Sequence, residues 1–143
     1  MDTPAPRKPV PTIDEWTRPY WDAARAGKLT IQRCGDCGRH VFYPRHSCPF
    51  CSSDRLEWIQ ASGRGAVYTF TVVHNNAPSP FLGDMPFVIA VVRLEEGVQM
   101  MTNIVGCHPG EVRCDMPVEV TFEKLDDDFT LPKFKPLSSP GER

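Results

Sequence analysis

Residues 34–51 read CGDCGRHVFYPRHSCPFC, and the interpretation of the whole chain starts from this stretch. It holds two Cys-x2-Cys pairs, Cys34 with Cys37 and Cys48 with Cys51, separated by ten residues. Four thiolates at this spacing are typical of ligands that close on one tetrahedral ion, for which zinc is the default occupant. The pattern therefore predicts a structural zinc site formed by these four cysteines.

Two other chemistries use similar thiols, namely iron in a rubredoxin-like site and a dithiol redox pair. Zinc is favoured because no residue nearby indicates a redox partner. Four protein ligands leave no position for water or substrate, so we expect the ion to be structural rather than catalytic. Cys107 and Cys114 lie near His108 but lack a fourth ligand, and we interpret them as ordinary thiols.

Three short segments before, between and after the cysteine pairs are predicted strands, and the first of them alternates apolar and polar residues. They are residues 29–31, 41–43 and 56–59. Two knuckles between three short strands predict a zinc ribbon over residues 29–61. Ahead of it, residues 1–28 predict a proline-rich arm and a short helix, with Thr17 as N-cap and Gly27 at its end.

The remaining residues, 62–143, have the pattern of an all-β domain. Four of its segments are predicted strands: residues 66–73, 87–94, 98–105 and 118–123. In the first of them, strict alternation places Val67 and Thr69 on one face and Tyr68 and Phe70 on the other. Four strands with irregular connections favour a five-stranded OB-type barrel.

The fifth barrel strand has two candidate positions in the sequence, either residues 108–114 or a continuation of the last ribbon strand past Ile59. Residues 129–136 read FTLPKFKP, which is too apolar for a free tail. We expect Leu131 and Phe134 to dock on the barrel or on a partner. The predicted fold class is mainly β, with an N-terminal helix, a rubredoxin-like zinc ribbon and a C-terminal OB-fold barrel.

Composition and charge argue against several classes of protein. The formal net charge is -2, and four thiolates on a divalent ion make it more negative. Binders of nucleic acid or anionic membranes usually have a basic surplus, so neither role is favoured. No apolar run is long enough to span a membrane, and residues 1–9 lack the apolar core of a signal peptide. We therefore expect a cytoplasmic protein.

The ribbon is the basic part of this acidic chain. Its cations are Arg33, Arg39, Arg45 and Arg55, together with His40 and His46. Two accounts stay open: these cations offset the thiolate charge, or one or two of them contact the phosphates of a nucleotide. Arg45, between the two knuckles, is our candidate for the second role.

The order of the elements and a series of short motifs resemble the DUF35 family of OB-fold proteins. The motifs are GKL at 27–29, QRCGDCG at 32–38, FYPR at 42–45, CPFC at 48–51, SGRGAVY at 62–68, MPV at 116–118 and LPKF at 131–134. Members of the family are acyl-CoA-associated partners of thiolases and related condensing enzymes. The resemblance implies a non-catalytic subunit that binds acyl-CoA jointly with a thiolase-fold chain, in a hetero-oligomer with two copies of each.

If the chain binds CoA, Arg45 is expected to meet the phosphates, while Phe42, Tyr68 and Phe70 line a channel for the pantetheine arm. These aromatic residues equally fit an ordinary core. His74, at the mouth of the loop after the first barrel strand, is a fifth candidate for contact with CoA. No Ser, Asp or Glu joins it in a catalytic set. We therefore expect the chain alone to have no enzymatic activity.

Two other functions belong to different classes. OB barrels and zinc ribbons both occur in nucleic-acid-binding modules, although the acidic balance disfavours this role. A ribbon that holds iron would instead indicate an electron-transfer protein.

Overall fold

The computed structural model describes residues 8–137, so the first seven residues of the predicted arm lie outside the described residues. One α-helix, α1 (Arg18–Arg25), follows Thr17 at the N-cap position. The Thr17 hydroxyl accepts a hydrogen bond from the Asp14 amide at 2.8 Å rather than from a helix N–H. Gly27, at φ +79°, lets the chain leave the helix as predicted. No helix within residues 8–137 is long and apolar enough to cross a membrane.

The predicted ribbon is a small antiparallel sheet. Its central strand, β1 (Thr30–Cys34), pairs with β2 (His40–Val41) on one side and with β3 (Leu56–Gln60) on the other. The first knuckle joins β1 to β2, and the second lies between β2 and β3. The next strand begins at Arg64, so the proposed boundary after residue 61 falls between the two sheets.

Five strands close into the predicted barrel. They are β4 (Arg64–Val73), β5 (Phe87–Leu94), β6 (Gln99–Ile104), β7 (Pro117–Lys124) and β8 (Thr130–Pro136). Their order around the barrel is β4-β5-β6-β8-β7, and β7 returns to pair with β4. Every pairing is antiparallel except the short parallel contact between β6 and β8. The predicted fold class is confirmed.

Both predicted positions of the fifth strand are wrong. Residues 108–114 contain a one-turn helix instead, β3 stops at Gln60, and the fifth strand is β8. Its prolines argue against a strand in the sequence, because proline has no N–H to donate to a sheet ladder. The carbonyl of Pro132 accepts a hydrogen bond from the Thr102 hydroxyl on β6, so the proline nitrogen also faces β6. On that side the ladder has a single paired position, and the missing N–H is tolerated.

A β-bulge in β4 overturns the predicted faces of that strand. Val67 and Thr69 lie opposite consecutive residues of β5, so Tyr68 has no partner there. Beyond the bulge the alternation is shifted by one residue. Val67 and Phe70 therefore both face the barrel core, while Tyr68 is 50% exposed.

Aromatic contacts attach α1 to both sheets. Tyr20 is buried and meets the ring of Phe42 from the ribbon at a centroid distance of 5.8 Å. Trp21 meets Phe129, beside the start of β8, edge to face at 5.3 Å. Tyr20 belongs to the buried cluster that continues into the barrel, and Trp21 packs against that cluster. The helix therefore fixes how the ribbon sits on the barrel.

Candidate metal centre and ligand cleft

The four predicted zinc ligands converge on one point. Their Sγ atoms all lie within 4.8 Å of one another, with 3.5 Å between Cys34 and Cys51 and 3.7 Å between Cys37 and Cys48. A tetrahedral zinc ion with Zn–S bonds of about 2.3 Å holds its sulfurs about 3.8 Å apart. No other group of three or more candidate ligands occurs within residues 8–137. The donor set fits a closed, structural zinc ion.

Backbone N–H groups point at the two buried sulfurs. Asp36 and Cys37 donate to the Sγ of Cys34, and Phe50 donates to the Sγ of Cys48, each at 3.4 Å. The bond from Cys37 is the largest cause of the lowered pKa of Cys34, which falls to about 6. Because zinc binds thiolates, the backbone bonds at Cys34 favour the form of this ligand that zinc requires.

The two knuckles share one backbone shape. The carbonyl of Cys34 accepts from the amide of Gly38 at 3.0 Å, and the carbonyl of Cys48 accepts from the amide of Ser52 at 2.9 Å. Gly38 has φ +77° and Ser52 has φ +67°. The second knuckle therefore forces a non-glycine residue into the left-handed region, which is strained.

An exposed network braces the first knuckle against the second. Arg55 pairs with Asp36 at 3.0 Å, and the Ser53 hydroxyl donates to the same carboxylate. The Gly35 amide donates to the Arg55 carbonyl at 2.7 Å. Arg55, one of the predicted ribbon cations, is thus occupied by a structural contact.

A cleft of about 460 Å³ separates the ribbon from the barrel. The ribbon loop between the knuckles and the second knuckle form one wall, and the turn between β5 and β6 forms the other. The ribbon side offers two cations and three rings, Arg39, Arg45, Phe42, Tyr43 and Phe50. The barrel side is Glu96–Gln99. This is a polar and aromatic site built by two parts of the fold.

A buried glutamine fixes the backbone that carries Arg45. Gln32 is 4% exposed, its Nε2 donates to the Arg45 carbonyl at 3.1 Å, and its Oε1 accepts from the Arg45 amide at 2.9 Å. The guanidinium of Arg45 has no ion pair among residues 8–137. Arg39 lies over the ring of Phe50, 4.7 Å from its centroid. Neither cleft arginine forms an ion pair with a carboxylate of the described chain, and Glu96 is the carboxylate on the opposite wall.

Comparison with known proteins identifies the family. The family described as "ChsH2, rubredoxin-like zinc ribbon domain" matches residues 21–57, and "ChsH2, C-terminal OB-fold domain" matches residues 58–123. A DUF35 domain-containing scaffold protein of Methanocaldococcus jannaschii is 42% identical over 114 residues, which cover 75% of this chain and 80% of that protein. The chain belongs to the DUF35 family.

Other similar proteins are named as enzyme subunits. A probable enoyl-CoA hydratase alpha subunit of Thermomonospora curvata is 36% identical over 133 residues, and this chain spans 41% of its length. The benzoylsuccinyl-CoA thiolase subunit BbsA of Thauera aromatica is 30% identical over 107 residues, or 72% of this chain and 69% of that subunit. A solved structure described as Ltp2-ChsH2(DUF35) aldolase superposes with a TM-score of 0.80 at 35% identity, covering 89% of this chain and 98% of that one.

The structure of this DUF35 protein brings together two of the five predicted CoA-binding residues. Phe42 and Arg45 both line the cleft. Tyr68 lies on the outside of the barrel, Phe70 packs against the barrel core, and His74 is exposed just beyond β4. The roles of all five in CoA binding stay predictions.

Several cleft residues escaped the sequence-based interpretation. Phe50 lies between two zinc ligands in the sequence and is 55% exposed. An aromatic residue inside a cysteine knuckle, which has no core to pack into, could have indicated a binding surface. Arg39 is one of the ribbon cations that the sequence offers for phosphate contact, but only the structure places it in the cleft. The turn at Glu96–Gln99 carried no signal, because only folding brings it opposite the ribbon.

The two remaining cysteines lie apart from the zinc cluster. Cys107 is half-buried, and burial together with the charge of Glu111 raises the pKa of its thiol. Cys114 is exposed. Neither belongs to a group of three or more candidate metal ligands within residues 8–137.

Proposed function

We propose that this DUF35 protein is a non-catalytic accessory subunit that binds an acyl-CoA jointly with a thiolase-like catalytic chain. In that complex it supports thiolytic cleavage or Claisen-type condensation in the active site of its partner. Relatives described as scaffold proteins and as a benzoylsuccinyl-CoA thiolase subunit support an accessory role. The similarity to the chain in the Ltp2-ChsH2(DUF35) aldolase structure supports it further.

The cleft between ribbon and barrel is the observation that carries the proposal. Arg39 and Arg45 offer two guanidinium groups without carboxylate partners, which suits the phosphates of a nucleotide. Phe42, Tyr43 and Phe50 offer faces and edges against which an adenine ring can pack. Cations beside aromatic rings are the combination that the nucleotide end of CoA requires.

The size of the cleft supports a binding site that is shared between two chains. At about 460 Å³ it lies in the usual range of small-molecule sites, which is roughly 300–1,000 Å³. An acyl-CoA adds a long pantetheine arm and an acyl group to its nucleotide. We assign the nucleotide end to the cleft, and we expect the arm to run on to the active site of the partner. Burying the thioester there excludes water from the reaction.

The metal centre holds the ribbon wall of the cleft in place. Cys34, Cys37, Cys48 and Cys51 would hold zinc, and the loop that carries Arg45 runs between the two pairs. The ion supplies stiffness, since closed sites of this type stabilise folding without an open position for chemistry. Removing it should loosen the loop and weaken binding.

Co-purification with a thiolase-type chain encoded by a neighbouring gene tests the proposal. We expect the two chains together, but neither alone, to bind CoA tightly and to cleave a matching acyl-CoA. Arg45→Glu should lower CoA affinity more than tenfold, because it replaces one cation at the phosphate site by an anion. Arg113→Glu is the matched control, since Arg113 is exposed on the barrel and does not line the cleft.

Two results would contradict the proposal. One is equal thioester cleavage by the catalytic chain with and without this protein. The other is an equal loss of CoA affinity in the Arg45 and Arg113 variants, because that would indicate bulk charge rather than a site.

A further inference from the structure

We infer that the solvent-facing side of β4, β5 and β6, here called the outer face, docks the catalytic chain of the proposed complex. This inference rests on the proposed function and adds the surface through which the two chains meet. A partner bound there lies beside the cleft, because the outer face and the cleft share Gln99.

The outer face carries solvent-facing apolar side chains among its polar ones. Its central row runs across three strands from Thr69 to Val91 to Met101. Met101 is 64% exposed, the highest value among the large apolar side chains of residues 8–137. Ile89, in the next row, also faces outward and is half-buried. Antiparallel sheets that face water usually carry polar residues on this side.

An aromatic and a cationic group, Tyr68 beside the bulge in β4 and Arg93 on β5, lie on the same surface. The ring of Tyr68 is 50% exposed, and the guanidinium of Arg93 lies over it at 4.7 Å. Tyr, Arg and Met are enriched at protein interfaces, and Tyr and Arg are frequent hot-spot residues. The outer face thus combines a cation–π pair with an exposed apolar row.

Charge decides which occupant fits. Strands β4, β5 and β6 contain Arg64 and Arg93 but no Asp, Glu or Lys. A second copy that packed the same three strands about a two-fold axis would bury Arg93 against strands that contain no carboxylate, which leaves the cation unpaired there. The complementary surface is therefore on a different chain, apolar at its centre with a carboxylate opposite Arg93.

Nucleic acid fits the outer face less well. Its three strands contain only two arginines, which is little positive charge for binding a phosphate backbone. The chain as a whole carries a formal charge of -2. The one exposed ring of the outer face, Tyr68, is already covered on one side by Arg93. Single-strand binders instead present several stacking rings along a basic groove.

Equilibrium binding to the neighbouring-gene thiolase-type chain, followed by titration calorimetry, tests the inference. Met101→Glu and Arg93→Glu should each weaken the complex more than tenfold. The first places a carboxylate against the apolar centre of the partner surface, and the second places one against the partner's carboxylate. Leu82→Glu is the matched control, because Leu82 is 52% exposed on the loop between β4 and β5. This variant should bind the catalytic chain as tightly as the unaltered protein does. Circular dichroism confirms that each variant is folded.

The outcomes separate this inference from the proposed function. If the unaltered chain binds the catalytic chain and both outer-face variants bind equally well, the docking surface is wrong and the function stands. If the unaltered chain does not bind that chain at all, the proposed function fails and the inference with it. Self-association that Met101→Glu abolishes, or salt-dependent binding of a single-stranded oligonucleotide that Tyr68→Ala abolishes, would overturn the inference in favour of another occupant.

Discussion

Replacing Gln32 by methionine tests whether a single buried side chain positions the cleft loop. Gln32 is 4% exposed and makes two hydrogen bonds to the backbone of Arg45, at 3.1 and 2.9 Å. Methionine has a similar length and volume but can make neither bond. The substitution therefore removes the two bonds while leaving the packing nearly unchanged.

The expected loss of stability follows from the count of bonds and from their surroundings. A hydrogen bond in a folded protein contributes about 1 kcal/mol net, so two contribute about 2 kcal/mol. The released amide and carbonyl belong to Arg45, an exposed residue, and water can replace part of what is lost. For a chain of 143 residues, about 2 kcal/mol corresponds to a fall in melting temperature of about 6 to 8 °C.

Thermal unfolding in the presence of zinc measures the effect. Gln60→Met is the matched control, because Gln60 is exposed at the end of β3, and its melting temperature should change by less than about 2 °C. If Gln32→Met melts within 2 °C of the unaltered chain, or if both variants lose the same amount, the reasoning about the buried glutamine is refuted.

Three further predictions concern the knuckles and the core. Ser52→Gly should stabilise the protein by about 1 kcal/mol in denaturant titration, because it relieves the left-handed strain. Ser47→Gly is the control and should not raise the free energy of unfolding. Equal stabilisation by both variants would contradict the prediction. Cys48→Ala should lose about one zinc ion per chain by metal analysis while Cys114→Ala retains it, and retention by both variants would exclude the ligand role. Phe134→Ala, at a fully buried site, should cost about 3–5 kcal/mol, and a loss below about 1 kcal/mol would remove β8 from the core.

The zinc site was predictable from the sequence because its information is local. Each Cys-x2-Cys pair forms within one tight turn, and the backbone N–H bonds to sulfur arise inside the same turn. The spacing of the two pairs then allows one ion to bind both. For the same reason the ribbon strands and four barrel strands were visible as short alternating or apolar segments.

Errors arose where a residue's neighbour in space decides its role. Pro132 argues against a strand in any local window, but its nitrogen faces the side of β8 where β6 scarcely pairs. Tyr68 was placed on one face with Phe70 because alternation assumes a regular strand, and the bulge that separates them depends on pairing with β5. Strand pairing is a non-local contact, which a single segment does not encode by its own periodicity.

The sequence by itself determined the four ligands, the fold class and the family resemblance, since all three rest on residue types at fixed spacing along the chain. Only the tertiary structure decided that Phe42 and Arg45 share a cleft while Tyr68, Phe70 and His74 lie elsewhere. The cleft has one wall from the ribbon and one from the turn at Glu96–Gln99. Residues so distant in sequence come together because α1 and the buried core hold the ribbon against the barrel. The periodicity of the sequence reports only local structure and does not predict that contact.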